Sequence, residues 1–245
     1  MMKTEAPVLQ LKDIRKTFDA VVAIENFSLD IYPGEIVALV GDNGAGKSTL
    51  IKIVSGVYGP TSGTITIEGD TVMASATMAR SHGIEVVYQD LALADQQTVY
   101  MNMFLGRELT NGIGLLDRKT MIAETEKLVK ELDVRIPSAH ATIRDLSGGQ
   151  RQGVAIARAT RWAKKLILLD EPTAALGVAE TAKVEEIVQS LKSRNIGVLI
   201  ISHSLDQVFK LSDRICVLRT GKQIGIRWTT ETHKNEIVSM ITGVS

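Results

Sequence analysis

The sequence predicts an α/β fold: a mixed sheet with antiparallel β strands at its N-terminal side, and a helical subdomain inserted into it. Three observations predict this. Short unbroken apolar runs, Ile36–Val40, Leu166–Leu169 and Val198–Ile201, read as strands buried on both faces of a parallel sheet. Alternating segments punctuated by Pro33-Gly34 and Gly69-Asp70 read as antiparallel strands. From about Leu91 to Trp162 there is no convincing strand, so this stretch is expected to be a helical lobe inserted into the sheet domain. The expected layout is one domain over 1–245, with the α/β core in 1–90 and 163–245 and the lobe in 91–162.

Taken in order, Val8 to Leu11, Ser28 to Tyr32, and Ile65 with Ile67 are expected to form antiparallel strands beside the strand Ile36–Val40. Ile84–Tyr88 ends in Gln89, Leu166–Leu169 in Asp170, and Val198–Ile201 in Ser202 and His203. Met121, Thr125, Leu128 and Leu132 share one helical face, as do Val184, Ile187, Val188 and Leu191, the spacing of amphipathic helices. Ile215–Leu218 and Gln223–Ile226 flank Thr220-Gly221-Lys222 as a hairpin, and Ile237, Met240 and Ile241 fit a last helix. Val99, Tyr100, Met101, Met103, Phe104 and Leu105 are more apolar than a solvated loop, which marks an exposed docking surface or the lobe's own small core.

Composition bounds the function. The chain has 245 residues, 44% hydrophobic and 23% charged, as in an ordinary globular protein. Lys plus Arg equals Asp plus Glu at 28 each, so no overall basic field favours nucleic acid. No apolar run approaches the ~20 residues of a membrane helix. The opening Met1-Met2-Lys3-Thr4-Glu5-Ala6-Pro7 lacks the apolar stretch of a secretory signal, and the single cysteine, Cys216, cannot form an internal disulfide. A cytoplasmic location is expected. Cys216 sits between Ile215 and Val217 as a small buried residue.

Directly behind Ile36–Val40 stands Gly41-Asp42-Asn43-Gly44-Ala45-Gly46-Lys47-Ser48-Thr49. A strand that empties into glycines followed by Lys-Ser and an apolar helix is a P-loop, and the expected fold is a P-loop NTPase core. The glycines let backbone N–H groups approach the β-phosphate, Lys47 puts a charge on the β/γ-oxygens, and Ser48 offers a hydroxyl to Mg²⁺. Ligands of open α/β sheets sit beyond the carboxyl ends of the strands, where Gln89, Asp170, Glu171 and His203 also fall. Asp170 is suited to hold Mg²⁺, and Glu171 to polarise a water attacking the γ-phosphate. Gln89 can reach the metal or that water, and His203 can donate to a γ-phosphate oxygen. Alone, Gln89 and His203 would read as strand-end polar residues; the P-loop beside them reverses that. His82, His140 and His233 have no partners at metal-ligand spacing.

Leu146-Ser147-Gly148-Gly149-Gln150 precedes a helical stretch and is a second helix N-terminus suited to phosphate. If it cannot reach the same ATP, it is free to cap one held by another copy. At this point the chain resembles the ATP-binding cassette (ABC) family: the P-loop, the glutamine loop at Gln89, the signature at 146–150, the Asp170-Glu171 pair and the switch His203 stand in the family's order. The resemblance covers nearly the whole chain. It implies ATP and Mg²⁺ as ligands and a head-to-tail dimer with a second ATPase subunit. In that dimer each ATP lies between one P-loop and the other subunit's Ser147, Gly148, Gly149 and Gln150. It also matches Phe18, before the first core strand pair, to the aromatic that stacks on adenine.

The chain departs from the family where most members carry an aspartate: Gly177 follows Glu171-Pro172-Thr173-Ala174-Ala175-Leu176. That wording, with Asn102-Met103-Phe104-Leu105-Gly106-Arg107-Glu108, resembles bacterial monosaccharide importers of the fructose, ribose and xylose types. The single-cassette form looks more like the fructose type. The resemblance therefore implies separate integral membrane permease subunits docking between Gln89 and the lobe, and a periplasmic sugar-binding protein. It places the chain in the cytoplasm, peripheral at the inner face of the cell membrane. Two alternatives stay open: a soluble ABC ATPase of the iron–sulfur assembly type, and a nucleotide-switched DNA-repair-type module, against which stand the balanced charge and the lack of sustained heptads in the lobe.

Overall fold

The protein is described from a computed structural model, which covers residues 6–71, 75–174 and 176–243. Ala175 and the first five residues, both used in the sequence reading, lie outside the described residues. The strands are β1 (Leu9–Phe18), β2 (Val21–Ile31), β3 (Ile36–Val40), β4 (Ser62–Ile67), β5 (Asp70–Thr71), β6 (Ile84–Val87), β7 (Leu166–Asp170), β8 (Gly197–Ile201), β9 (Arg214–Arg219) and β10 (Lys222–Trp228). The helices are α1 (Lys47–Val54), α2 (Ala76–Ser81), α3 (Val99–Met103), α4 (Arg118–Glu131), α5 (Gly148–Trp162), α6 (Val178–Ser193), α7 (Leu205–Leu211) and α8 (Lys234–Thr242).

The ten strands lie in the order β5-β4-β1-β2-β10-β9-β3-β8-β7-β6. Strands β3, β7 and β8 are buried at every residue, which accounts for their continuous apolar sequences. Side chains alternate between two cores. Ile36, Ala38, Ile167, Leu169, Val198 and Ile200 face helices α5 and α6, whereas Val37, Leu39, Leu166, Leu168, Leu199 and Ile201 face α1 and the antiparallel strands. Each such Leu or Ile contributes roughly 1.5–3 kcal/mol by burial.

Two sequence expectations change here. The antiparallel strands β1, β2 and β4 are not beside the P-loop strand. The hairpin β9–β10, predicted as such, intervenes, and β3 pairs in parallel with both β8 and β9. β1 and β2 also run longer than expected. Asp13 and Asn26 adopt left-handed backbone (φ 53° each), and the register shifts near them break the alternation that the sequence reading relied on.

The second change concerns the apolar segment at 99–105. Val99, Met103 and Phe104 are fully buried and Tyr100 is 7% exposed, leaving Leu105 as the open member at 49%. Phe104 packs edge-on against Trp162, whose indole donates to the Met103 carbonyl at 3.0 Å. The stretch is packed into one apolar cluster with α4, α5 and one face of the sheet. Five-residue α3 is too short for its burial to be read from periodicity. Met121, Thr125 and Leu128 in α4, and Val184, Ile187, Val188 and Leu191 in α6, are buried as predicted. Among the described residues no helix is long and apolar enough to cross a membrane.

The N-terminal end of β3 is pinned by charge. Glu35, 1% exposed, accepts Arg214 Nε at 2.7 Å and Arg214 NH2 at 3.1 Å, while Asp213 accepts the Ile36 amide at 2.9 Å and Lys192 Nζ at 2.7 Å. Such bidentate pairs add geometric specificity. Here they fix the strand that ends in the P-loop.

Candidate active site

Past Val40 the chain turns through Gly41, Gly44 and Gly46, of which the first and last leave no room for a Cβ. A Cβ on Gly46 (φ 106°) would come 2.7 Å from the Ala23 carbonyl, and one on Gly41 would meet the Leu218 carbonyl at 2.1 Å. α1 then starts at Lys47, with Gly46 as an N-cap that offers no side-chain bond. Its first-turn amides therefore have no intrahelical partner. Asn43, Gly44, Gly46, Lys47, Ser48 and Thr49 line a cleft of about 460 Å³ together with Glu171; Ala45 is buried beneath it and Asp42 is exposed. Lys47 Nζ donates to the carbonyls of Gly41 (2.7 Å) and Asp42 (2.9 Å). Burial pulls its pKa below the ordinary lysine value, against the opposing pull of Glu171, Asp170 and Asp42.

Parallel pairing of Asp170 with Ile201 brings the acidic pair beside the end of β8. Asp170 is nearly buried. Burial first, and the charge of Glu171 second, push its pKa above the ordinary aspartate value, with Lys47 opposing. Glu171 adopts left-handed backbone (φ 51°), a conformation that persists for a glutamate only where surrounding bonds hold it. Its amide donates to the Ile201 carbonyl at 3.0 Å, and its Oε1 lies 2.9 Å from His203 Nε2.

Gln89 lies past the end of β6, the edge strand, exposed and outside the lining of the cleft. The segment after it is anchored: Arg158 donates to the carbonyls of Leu91 and Ala92 at 2.8 Å each. Arg158 belongs to α5, whose N-terminus is the segment 147–150, so the two predicted loops are tied to one rigid helix. Ser147 caps α5 by accepting the Gln150 amide (3.2 Å), and Gln150 Oε1 accepts the Ser147 amide (2.9 Å), a capping box. Ser147, Gly149 and Gln150 line a separate cleft of about 550 Å³ that shares no lining residue with the first. Gly148 opens the helix beside Leu176.

Phe18 closes β1, 39% exposed and paired with Val21 but not itself among the residues lining the cleft, edge-on to Tyr58 with centroids 5.2 Å apart and Lys16 Nζ 4.9 Å above its ring. The wall of the cleft beside it is one the sequence reading missed: Val21, Val22 and Ala23 of β2 and the turn Thr220-Gly221. Neither segment alone carries a signal for this wall, which forms only where β10 pairs with β2. Gly177 caps α6, and a Cβ there would meet only the exposed, flexible Glu180 carboxylate, Oε2 at 2.6 Å. Cys216 is buried, its thiol pushed up to about 12 by that burial.

Among the described residues no three His, Cys, Asp or Glu side chains form a metal cluster. The hydroxyl of Ser48 and the carboxylate of Asp170 instead fit Mg²⁺, which takes few protein oxygens and shares phosphate ligands and water. The raised pKa of Asp170 has a stability consequence. A carboxylate whose folded pKa lies above its unfolded one favours folding below the ordinary carboxylate range, and loses that contribution as pH rises through the raised value. Asp170→Asn should therefore raise the melting temperature of the ligand-free protein at neutral pH, with the gain over wild type shrinking toward pH ~4. The same variant should lose about 10²-fold or more in MgATP turnover. Thermal melts across pH and a phosphate-release assay check both halves; a lower melting temperature at neutral pH would contradict the first.

A family model described as ABC transporter matches residues 24–174. The xylose/arabinose import ATP-binding protein XylG of Sulfolobus acidocaldarius is 49% identical over 236 residues, covering 96% of this chain and 94% of that relative. The fructose import ATP-binding protein FrcA of Rhizobium meliloti is 39% identical, covering 98% and 95%. The ribose import ATP-binding protein RbsA of Jannaschia sp. is 37% identical, covering 98% of this chain and 46% of that relative. In structure the chain is similar to an ATP-binding cassette of an ABC transporter in its ADP conformation (TM-score 0.81, 25% identity, 98% and 96% of the two chains). It is also similar to a dimeric cassette in a post-hydrolysis state with ADP and Pi (TM-score 0.77, 25% identity, 90% and 98%). The glycine cradle, the Asp170-Glu171 pair and the matched family model agree: the chain belongs to the ABC transporter family.

Proposed function

We propose that this chain is the ATP-hydrolysing subunit of a monosaccharide importer. The observation that carries the reading is near full-length identity to single-cassette sugar-import subunits, joined to a site in which Lys47, Ser48, Asp170, Glu171 and His203 meet at one end of the sheet. Single-cassette length occurs in both a xylose/arabinose and a fructose relative, so length does not choose the sugar.

The P-loop amides and Lys47 bind the β- and γ-phosphates of ATP. Ser48 and Asp170 would hold Mg²⁺ beside the phosphates, and the ion would supply positive charge against that developing on the leaving group. Glu171 orients and deprotonates the attacking water, and its contact with His203 fixes the carboxylate while the imidazole reaches the γ-phosphate. Phe18 stacks on adenine, and such stacking is worth ~1–3 kcal/mol. Because the 147–150 segment opens on a different cleft, it caps the ATP of a second copy, giving a head-to-tail dimer. The lobe, 91–162, carries the signature and, through Arg158, holds the carbonyls of Leu91 and Ala92 just after Gln89. Permease subunits dock in the groove between Gln89 and the lobe, which holds the chain at the inner face of the membrane, and a sugar-binding protein delivers the monosaccharide outside.

Deletion of the gene, followed by uptake of labelled xylose, arabinose, fructose and ribose, tests this. Uptake of one of them should fall and return with a plasmid copy. Unchanged uptake of monosaccharides would overturn the import reading in favour of a soluble ATPase.

A further inference from the structure

Behind the acidic pair lies a side chain that the mechanism above does not use. Gln207, in α7, is 3% exposed. Its Oε1 accepts two hydroxyls, Ser202 Oγ at 2.7 Å and Thr173 Oγ1 at 3.1 Å. These hydroxyls come from two different loops. Thr173 stands two residues after Glu171 on the loop leaving β7; Ser202 immediately precedes His203 on the loop leaving β8. Ser202 Oγ in turn accepts the Ser204 amide at 3.1 Å, so its own proton goes to Gln207.

We infer that Gln207 is a positioning residue for the Glu171–His203 pair, its amide oxygen clasping the loops that carry the two side chains. Glu171 needs such support, since its backbone is left-handed and a glutamate leaves that region when nothing holds it. The Glu171 amide bond to Ile201 fixes one end of the turn and Thr173 to Gln207 fixes the other. The contribution is the acceptor alone. Gln207 Nε2 is buried with no partner among the described residues, so the amide's donor half supplies nothing here. A glutamate at 207 would keep the acceptor and remove the unpaired donor.

The inference rests on the ATPase reading of the site, and two variants with two readouts separate them. Gln207→Leu keeps apolar volume and removes the acceptor; it should lower kcat by ~10- to ~10²-fold, the scale of a misplaced reacting group, with KM for ATP little changed. Gln207→Glu should keep kcat within about 3-fold of wild type, since it retains the acceptor. If Gln207→Leu does not fold, Thr173→Val, which removes one hydroxyl from a partly open position, should show the same kcat loss in smaller degree. The second readout needs no turnover: the His203 ring resonance in NMR, assigned by its disappearance in His203→Gln, should shift in Gln207→Leu toward its position in Glu171→Gln. Parallel loss of kcat, KM and thermal stability in both Gln207 variants would reduce the residue to packing. An unmoved His203 resonance overturns the inference whether or not the chain hydrolyses ATP, and absence of turnover in wild type would count against the ATPase reading instead.

Discussion

Glu171→Gln should retain ATP binding while hydrolysis falls by ~10²–10⁴-fold, the usual range for losing a general base. The substitution isolates the proton-accepting role because the amide has the same shape. The left-handed backbone at 171, the amide bond to Ile201 and the approach to His203 Nε2 at 2.9 Å can all be kept. What disappears is the charge facing the cleft. Its loss also relieves Asp170, whose pKa is raised by burial first and by Glu171 second, so the metal site should not be weakened. Slow turnover combined with intact binding should then accumulate whatever assembly ATP stabilises. On the head-to-tail reading proposed above, that assembly should be a dimer, visible by light scattering after size exclusion in saturating MgATP. A monomer under those conditions would count against the composite site, and full activity would remove Glu171 from the mechanism.

The parts of the molecule legible in the sequence are those whose physics is local. A phosphate cradle needs glycines, a lysine and a hydroxyl at fixed offsets, so residues 41–49 could be read directly, and strands buried on both faces announce themselves as runs such as Leu166–Leu169. Strand order is a different matter. Nothing near Ile36–Val40 says that β9 and β10 lie between it and the antiparallel strands; that follows from pairings across some 180 residues of chain, such as Arg214 with Val37. The cleft wall formed by Val21, Val22 and the Thr220-Gly221 turn was hidden for the same reason. Gly221 donates its amide to the Ala45 carbonyl at 3.0 Å, a contact with no trace in either segment alone. The segment at 99–105 failed differently. Apolar residues in a five-residue helix carry the same pattern whether they face a partner or a core, and the indole of Trp162 decides the matter from 59 residues away. Gln207 shows the limit most clearly, since its importance lies in two hydroxyls that converge on one oxygen only in the folded chain.

Lys47→Ala should weaken ATP binding by about 10²-fold or more, the scale of losing charge-assisted hydrogen bonds to phosphate, and bring turnover below detection. The argument starts from where the ammonium sits. It is 6% exposed, held by the Gly41 and Asp42 carbonyls at 2.7 and 2.9 Å at the root of the loop that would wrap the phosphates. Burial disfavours its charge, and Glu171, Asp170 and Asp42 oppose that effect in part. The same ammonium therefore serves both partners: it meets the phosphate charge and it offsets the acidic pair. Alanine removes both effects, leaving Asp170 and Glu171 facing a triphosphate with no fixed cation between them. Titration calorimetry with a non-hydrolysable ATP analogue measures the loss. Lys47→Arg distinguishes charge from shape. A guanidinium carries the same charge, but its planar fork does not fit between two carbonyls that accept a single point donor from a side chain this enclosed. The arginine variant should therefore fail nearly as badly as alanine; recovery of wild-type affinity would show that charge alone suffices and that the enclosure of Lys47 plays no part in holding ATP.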